Sequence, residues 1–171
     1  GSNIGYYSLY FKNIENIYSF EPNKNNFLSL KENINLNKLN IKAHNFGLSN
    51  SNSETKIWYT DEKKMGGSAI FQKDDAELKK YDVKNIYLEK ISVKRLDDII
   101  NINDSKILAK IDVERHEKKV LEGMKDIINN NNIILQIEIG ETQKNEVFRY
   151  LKELNLKWIN TIRHDHYFIK E

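Results

Sequence analysis

The stretch Ile-Leu-Ala-Lys-Ile-Asp at residues 107–112 decides how this chain folds. Apart from Lys110 its first five residues are apolar, which is typical of a strand buried on both faces, and Asp112 ends the run. A second apolar run follows at residues 133–139. Between the two runs, apolar residues recur at helical spacing and predict one helix with a buried face: Val120, Leu121, Met124, Ile127 and Ile128. A strand, a crossover helix and another strand predict a parallel pair.

The same pattern occurs upstream. The chain opens with Ile4, Tyr7 and Phe11 at helical spacing, which predicts a helix from the start. A short apolar run at residues 17–20 then stops at Glu21-Pro22. A second helix can begin at Asn23 or Asn25, both good N-caps, and a strand at 41–46 follows it. The expected buried stripe of that helix is Phe27, Leu30 and Ile34.

The middle and the end of the chain add antiparallel elements. Residues 55–59, 68–71 and 86–93 are β-prone segments inserted between the strand–helix units, and a short helix is expected at 95–100. Residues 157–162 and 166–169 predict a closing hairpin. The predicted fold is therefore α/β, with a mostly parallel sheet covered by helices on both faces and an antiparallel C-terminal hairpin. No linker or repeat interrupts it, so residues 1–171 are expected to form one domain.

Composition excludes several classes of protein. The chain has no cysteine, which excludes a disulfide scaffold, a zinc ribbon, a thiol nucleophile and an iron–sulfur site. Its 27 basic and 25 acidic residues nearly balance at +2, which argues against a dedicated nucleic-acid binder. Apolar runs are far shorter than the roughly 20 residues of a membrane helix, and the opening residues lack the pattern of a secretory signal. A cytoplasmic protein without a membrane span is expected.

Two features point to a nucleoside ligand. Residues 1–5 read Gly-Ser-Asn-Ile-Gly ahead of a helix, and glycines there let backbone N–H groups approach a ligand closely. Glu21 ends the next strand, about 20 residues later, where a carboxylate can accept both hydroxyl hydrogens of a ribose. The alternative is an ordinary turn and a solvated strand end. Together the two features favour nucleoside binding.

The sequence resembles the FkbM-type methyltransferases, which use S-adenosylmethionine. The resemblance rests on seven blocks that occur in the family's order across most of the chain. They are Gly-Ser-Asn-Ile-Gly-Tyr-Tyr-Ser-Leu at 1–9, Ser-Phe-Glu-Pro-Asn at 19–23, Leu-Lys-Glu-Asn-Ile-Asn-Leu-Asn at 30–37, Gly-Leu-Ser-Asn at 47–50, Arg-Leu-Asp-Asp at 95–98, Lys-Ile-Asp-Val-Glu-Arg-His-Glu at 110–117 and Val-Leu-Glu-Gly at 120–123.

The resemblance implies a class I (Rossmann-like) methyltransferase sheet and a set of cofactor-binding residues. The glycine loop would lie under the methionine part of S-adenosylmethionine, Glu21 would bind the ribose, and Asp112 would face the reacting atoms. The full set is Gly1, Asn3, Gly5, Glu21, Asn45, Phe46, Gly47 and Asp112. Family members methylate hydroxyl groups of small molecules or of surface-polysaccharide sugars, which implies a small-molecule or carbohydrate acceptor.

Methyl transfer to a hydroxyl needs a group that accepts the proton. Asp112, Glu114 and His116 are the candidates, because all three lie where a buried strand turns into a helix. An unperturbed histidine titrates near 6.5, which suits this task, although a histidine in a first helical turn is often only solvated. A metal held by the same three residues is the less favoured alternative, and no metal is predicted.

Two departures from the family pattern stand out. The family usually has glycine where this chain has Arg115, and an arginine there is strained if φ is positive. Arg115 could occupy the pocket or attract an anionic acceptor. The family also expects a central strand before Gly1. Its absence predicts an N-terminally truncated domain, a rearranged sheet, or a sheet completed by another chain.

Three functions therefore compete. An S-adenosylmethionine-dependent O-methyltransferase acting on a sugar or a surface-polysaccharide precursor is favoured. A catalytically inactive methyltransferase-like binding or interaction module is the alternative. An unrelated nucleotide-binding domain is disfavoured, because the chain has no Gly-x-Gly-x-x-Gly or Walker sequence.

Overall fold

The chain contains both helices and strands, so the mixed α/β class predicted from the sequence is confirmed. The computed structural model describes residues 1–11, 13–59, 70–71 and 87–170. The chain divides into two compact units. The first unit comprises Gly1–Gly47 and Ser53–Val93, and the second comprises Leu48–Asn52 and Lys94–Glu171.

The first unit opens with a helix and a strand–helix–strand segment. Its elements are α1 (Tyr6–Tyr10), β1 (Ile17–Phe20), α2 (Lys24–Leu36) and β2 (Ile41–His44). β1 and β2 pair in parallel across α2, as predicted. The opening helix starts later than predicted, at Tyr6, because Gly5 just before it has a left-handed backbone that ordinary helical residues do not adopt.

The N-terminus of α2 begins where the sequence predicts. Asn23 is the N-cap, and its side chain accepts a hydrogen bond of 2.9 Å from the Asn26 N–H. Leu30 and Ile34 on the predicted stripe are buried, and Phe27 is half-buried.

A four-stranded sheet contains the other strands of the first unit. Its strands are β3 (Gly47–Leu48), β4 (Ser53–Tyr59), β5 (Ile70–Phe71) and β6 (Tyr87–Lys94), in the order β3-β6-β4-β5. β3 and β6 each end one residue beyond the first unit. β4 pairs antiparallel with both β5 and β6, and Ile57, Ile91 and Val93 form a buried cluster. The inserted strands predicted at 55–59 and 86–93 are confirmed over their described residues. Residues 68, 69 and 86 lie outside the described ranges.

The second unit is built around a four-stranded sheet. Its elements are a 3₁₀ turn (Leu96–Asp98), β7 (Lys106–Ile111), α3 (Glu117–Gly123), α4 (Lys125–Asn130), β8 (Asn132–Glu138), α5 (Lys144–Glu153), β9 (Lys157–Ile162) and β10 (Asp165–Lys170). The order is β7-β8-β10-β9, with β7 and β8 parallel and β10 antiparallel to both of its neighbours. The closing hairpin is confirmed.

The single helix predicted between β7 and β8 is wrong: two helices occupy that stretch. α3 ends at Gly123 and α4 begins at Lys125, with Met124 between them. The break is possible because the Asp97 carboxylate accepts hydrogen bonds from the N–H groups of Asp126 and Ile127 and so caps a new helix. All five apolar residues of the predicted stripe are nevertheless buried.

Parallel pairing occurs in two separate sheets, β1 with β2 and β7 with β8. The single, mostly parallel sheet predicted from the sequence stays a prediction. A membrane span needs an apolar helix of about 20 residues. Among the described residues no helix meets that requirement.

Candidate functional site

The glycine loop at residues 1–5 is fixed to the end of β1. The Ser2 N–H donates to the Phe20 carbonyl oxygen (3.0 Å), and the Phe20 N–H donates to Ser2 Oγ (2.8 Å). Asn3 has φ 49° and Gly5 has φ 95°, so the loop turns twice through the left-handed region before α1 begins. The sequence supplies residues that tolerate this backbone, since asparagine and glycine enter that region most readily.

Gly5 is required for a second reason. A Cβ atom at this position would lie 2.5 Å from Cδ1 of Leu30, which is fully buried in α2. The loop therefore packs directly on α2 with no room for a side chain at Gly5.

Glu21 is the centre of this region. Its side chain is buried, with 5% of the residue exposed. Oε2 accepts a hydrogen bond from the Asn3 N–H (2.7 Å) and Oε1 accepts one from the Asn23 N–H (3.0 Å). A carboxylate has about four acceptor positions, so the two that backbone groups occupy leave capacity for further donors. The predicted neighbourhood of the glycine loop and Glu21 is thus present in the structure.

Asn45, Phe46 and Gly47 follow β2 in the same unit. The Asn45 side-chain amide donates to the carbonyl oxygens of Glu21 (2.9 Å) and Pro22 (3.1 Å), which joins the ends of β1 and β2. The Phe46 ring lies 5.7 Å from that of Phe20, and Gly47 is buried at the start of β3. The first unit therefore brings together most of the residues predicted to bind the cofactor, and Gly1 leads into the loop that carries them.

In the second unit, Asp112 follows β7 and begins a turn with an unusual backbone. Glu114 has φ 51° and Arg115 has φ 73°, so two successive residues with side chains lie in the left-handed region. Asp112 Oδ2 is 2.7 Å from Lys110 Nζ in an ion pair. Of the three residues proposed to accept a proton, Asp112 and Glu114 are half-buried.

His116 is buried and bonded. Its Nε2 lies 3.0 Å from Ser49 Oγ, and 8% of the residue is exposed. Burial, with a smaller effect of the nearby Lys119 charge, lowers the pKa of His116 to about 4. The ring is therefore neutral at physiological pH, and its contact with Ser49 indicates a role in holding the segment 48–52.

Glu117 was not singled out by the sequence, yet it shapes this turn. It is 2% exposed, and its Oε1 accepts a hydrogen bond of 3.0 Å from the Arg115 N–H. The Gln143 side-chain amide donates to the Arg115 carbonyl oxygen (2.8 Å). Burial raises the pKa of the Glu117 carboxyl. The sequence does contain one indication of this role: Glu117 lies three and four residues before Val120 and Leu121, on the face of the helix predicted to be buried.

Carboxylates gather where β7 and β8 end. Ile111 pairs with Ile137, so Asp112 and Glu138 leave neighbouring parallel strands, and Asp165 pairs with Glu138. Glu138 is exposed, and partial loss of hydration, together with the negative charge of Asp112, raises its pKa. Such a carboxyl is a better proton acceptor than an unperturbed one. Among the described residues, no group of three or more potential metal ligands is placed to hold an ion.

Two of the sequence blocks that carry the resemblance, residues 47–50 and 120–123, contact each other through Ser49 and Asn50. A Cβ on Gly123 would lie 1.9 Å from the Ser49 carbonyl oxygen, and the Asn50 side-chain amide donates to Glu122 (2.7 Å). The segment 48–52 thus lies directly on the end of α3. The glycine at 123 is explained by this close approach of backbone atoms rather than by a ligand.

Comparison with known protein families identifies the family of this chain. The family model described as the methyltransferase FkbM domain matches residues 1–167. The chain belongs to the FkbM methyltransferase family. No curated protein matches the sequence.

A solved structure has a similar fold. It is the crystal structure of methyltransferase FkbM from Methylobacillus flagellatus KT, with a TM-score of 0.60 and 16% sequence identity. The match covers 99% of this chain and 42% of that protein. The chain therefore spans less than half the length of this FkbM methyltransferase, and at this identity the likeness concerns the fold.

Proposed function

We propose that this FkbM-family chain is an S-adenosylmethionine-dependent methyltransferase that methylates a hydroxyl group of a sugar or of a surface-polysaccharide precursor. The observation that carries the proposal is the Glu21 carboxylate, held between the N–H groups of Asn3 and Asn23 beside the glycine loop. Family membership supports the reaction class.

The residues of the first unit fit the cofactor. Glu21 keeps acceptor capacity for two ribose hydroxyls, and the loop that contains the left-handed residues Asn3 and Gly5 donates the Asn3 N–H to it. We assign the methionine part to Gly1, Asn3 and Gly5, the ribose to Glu21, and the adenine to the segment 45–47. When bound, S-adenosylmethionine supplies an electrophilic methyl group.

The second unit supplies the candidate proton acceptors. We assign a site role to Asp112, with Glu114 beside it, as the sequence predicts. We add Glu138 as a further candidate, because it lies next to the end of β7 and its raised pKa suits proton acceptance from a hydroxyl. The lowered pKa of the buried His116 makes it a weak proton acceptor, and its contact with Ser49 favours a role in holding that residue.

The acceptor class rests on the family. We propose a small-molecule or carbohydrate acceptor and a cytoplasmic site of action, with no part for nucleic acid. Carboxylates such as Asp112 and Glu138 accept hydrogen bonds from sugar hydroxyls, which supports a neutral polyol acceptor.

We also propose that residues 1–171 form one methyltransferase-like domain of the class I type, with a mostly parallel, Rossmann-like sheet.

An inactive binding module remains the second candidate, favoured by the ion pair of Asp112 with Lys110 and by the strained Arg115. Isothermal titration calorimetry with S-adenosylmethionine and S-adenosylhomocysteine, followed by methyl-transfer assays on a panel of sugars, separates the two. Binding with turnover supports the enzyme, binding without turnover supports the module, and absence of binding by the folded protein refutes the enzyme.

A further inference from the structure

Glu89 occupies a position where the pattern of its strand calls for an apolar residue. Along β6 the more buried positions are Tyr87, Glu89, Ile91 and Val93, which alternate with exposed ones. Glu89 pairs with Ile57 of β4, which is fully buried. A carboxylate on this face loses hydration, and such a loss must be offset by hydrogen bonds.

Both oxygens of Glu89 bond to the turn that begins α2. Oε1 accepts a hydrogen bond of 2.9 Å from the Lys24 N–H, and Oε2 accepts one of 2.8 Å from the Asn23 side-chain amide. Lys24 is the first residue of α2, so its N–H has no partner within the helix. The negative charge also lies at the positive end of the helix dipole, which offsets part of the cost of burial.

Asn23 connects Glu89 to Glu21. Its backbone N–H donates to Glu21 Oε1 (3.0 Å), its side-chain oxygen accepts from the Asn26 N–H (2.9 Å), and its side-chain amide reaches Glu89. Asn23 is 6% exposed. The orientation of the Asn23 N–H that holds the Glu21 carboxylate is therefore set from two sides, by α2 and by Glu89.

We infer that Glu89 is a positioning residue for cofactor binding, which acts through Asn23 to fix the Glu21 carboxylate for a ribose. The inference rests on the proposed function and adds to it a residue 68 positions away from Glu21 on an inserted strand. The sheet formed by β4, β5 and β6 thereby contributes to the ribose site without touching the cofactor.

The test is calorimetry with S-adenosylhomocysteine on Glu89→Gln. Glutamine keeps the size of the side chain and one oxygen for the Lys24 N–H, but its NH₂ group faces the NH₂ group of Asn23, so that contact is lost. We expect the dissociation constant to rise about fivefold, the usual size of one lost positioning hydrogen bond. Glu54→Gln, on an exposed position of β4, is the matched control and should bind as the unaltered protein does.

A second readout separates positioning from general stability. Adenosine and 2′,3′-dideoxyadenosine differ only in the hydroxyls that Glu21 is proposed to bind, so the ratio of their affinities measures that contact. Glu89→Gln should reduce this ratio by about fivefold, and a merely structural role would leave it unchanged.

Asn23→Ser provides an independent variant, since serine still caps α2 and keeps the backbone N–H but cannot reach Glu89. It should reduce the ratio similarly, and adding Glu89→Gln should have little further effect. Unchanged ratios in both variants, with the unaltered protein binding S-adenosylhomocysteine, would overturn the inference alone. No binding by the unaltered folded protein would overturn the proposed function, and the inference with it.

Discussion

Replacing Arg115 tests the strain in the turn after β7. Arg115 has φ 73°, and its backbone is fixed on both sides, by Glu117 at its N–H and by Gln143 at its carbonyl oxygen. The turn therefore has little freedom to relax into another conformation. Glycine adopts positive φ without steric cost, so Arg115→Gly should relieve the strain.

The magnitude is obtained by comparing Arg115→Gly with Arg115→Ala, since both variants remove the same arginine contacts. A left-handed residue with a Cβ costs about 1–2 kcal/mol. Glycine gains about 0.4–1 kcal/mol of extra freedom in the unfolded chain, which offsets part of the relief. We expect Arg115→Gly to be more stable than Arg115→Ala by about 0.5–1 kcal/mol, or roughly 1–4 °C in Tm for a chain of this length.

Urea unfolding at pH 7 measures this difference. Arg149, exposed within α5, is the control, because glycine there should be less stable than alanine by about 1 kcal/mol and the sign should reverse. If Arg115→Ala were more stable than Arg115→Gly, as expected at Arg149, the strain at Arg115 would be refuted. A methyl-transfer assay on the sugar panel tests the further prediction that Arg115 blocks the pocket: Arg115→Gly should restore or broaden activity, and equal transfer by both forms would refute it.

Three other substitutions have definite expected outcomes. Gly5→Ala should destabilise by about 1–3 kcal/mol in urea unfolding, because φ is 95° and the new Cβ would meet Leu30, whereas Gly140→Ala, with open space around it, should have little effect. Glu21→Gln should weaken S-adenosylhomocysteine binding at least tenfold by calorimetry, since one acceptor oxygen for ribose is replaced by a donor and the other loses its negative charge, and an unchanged constant would refute the assignment. His116 should make the free energy of unfolding depend on pH. Its folded pKa is lowered to about 4, so its stabilising contribution is complete above its unfolded pKa near 6.5 and is lost as pH falls toward 4. Stability should fall by about 2 kcal/mol between pH 7 and pH 5, and His116→Gln should lack this fall.

The elements of the fold were predictable where the signal was local. The apolar runs at 17–20 and 107–111 are strands, and Asn23 caps α2, because burial and capping depend on neighbouring residues. The break at Met124 was not predictable, because the cap of α4 comes from Asp97, nearly 30 residues away.

The candidate site divides in the same way. Glu21 was chosen from the sequence for its position after a strand and its spacing from the glycines, and its role as a ribose ligand stays a prediction. The contact of His116 with Ser49 and the bonds of Glu89 to α2 depend on strand register and helix placement, which a single sequence does not specify. The sequence predicted strain at Arg115 only if its φ is positive, and in the structure its φ is 73°.

The contact of Gly123 with Ser49 has a consequence for how sequences in this family can change. Because a backbone oxygen fills the space of the missing Cβ, a larger residue at 123 is acceptable only if the segment 48–52 shifts as well. When sequences of two relatives are recombined, residue 123 and segment 48–52 should therefore come from the same relative. A chimera that takes one block from another relative and keeps the other should lose stability, whereas one that takes both should retain it.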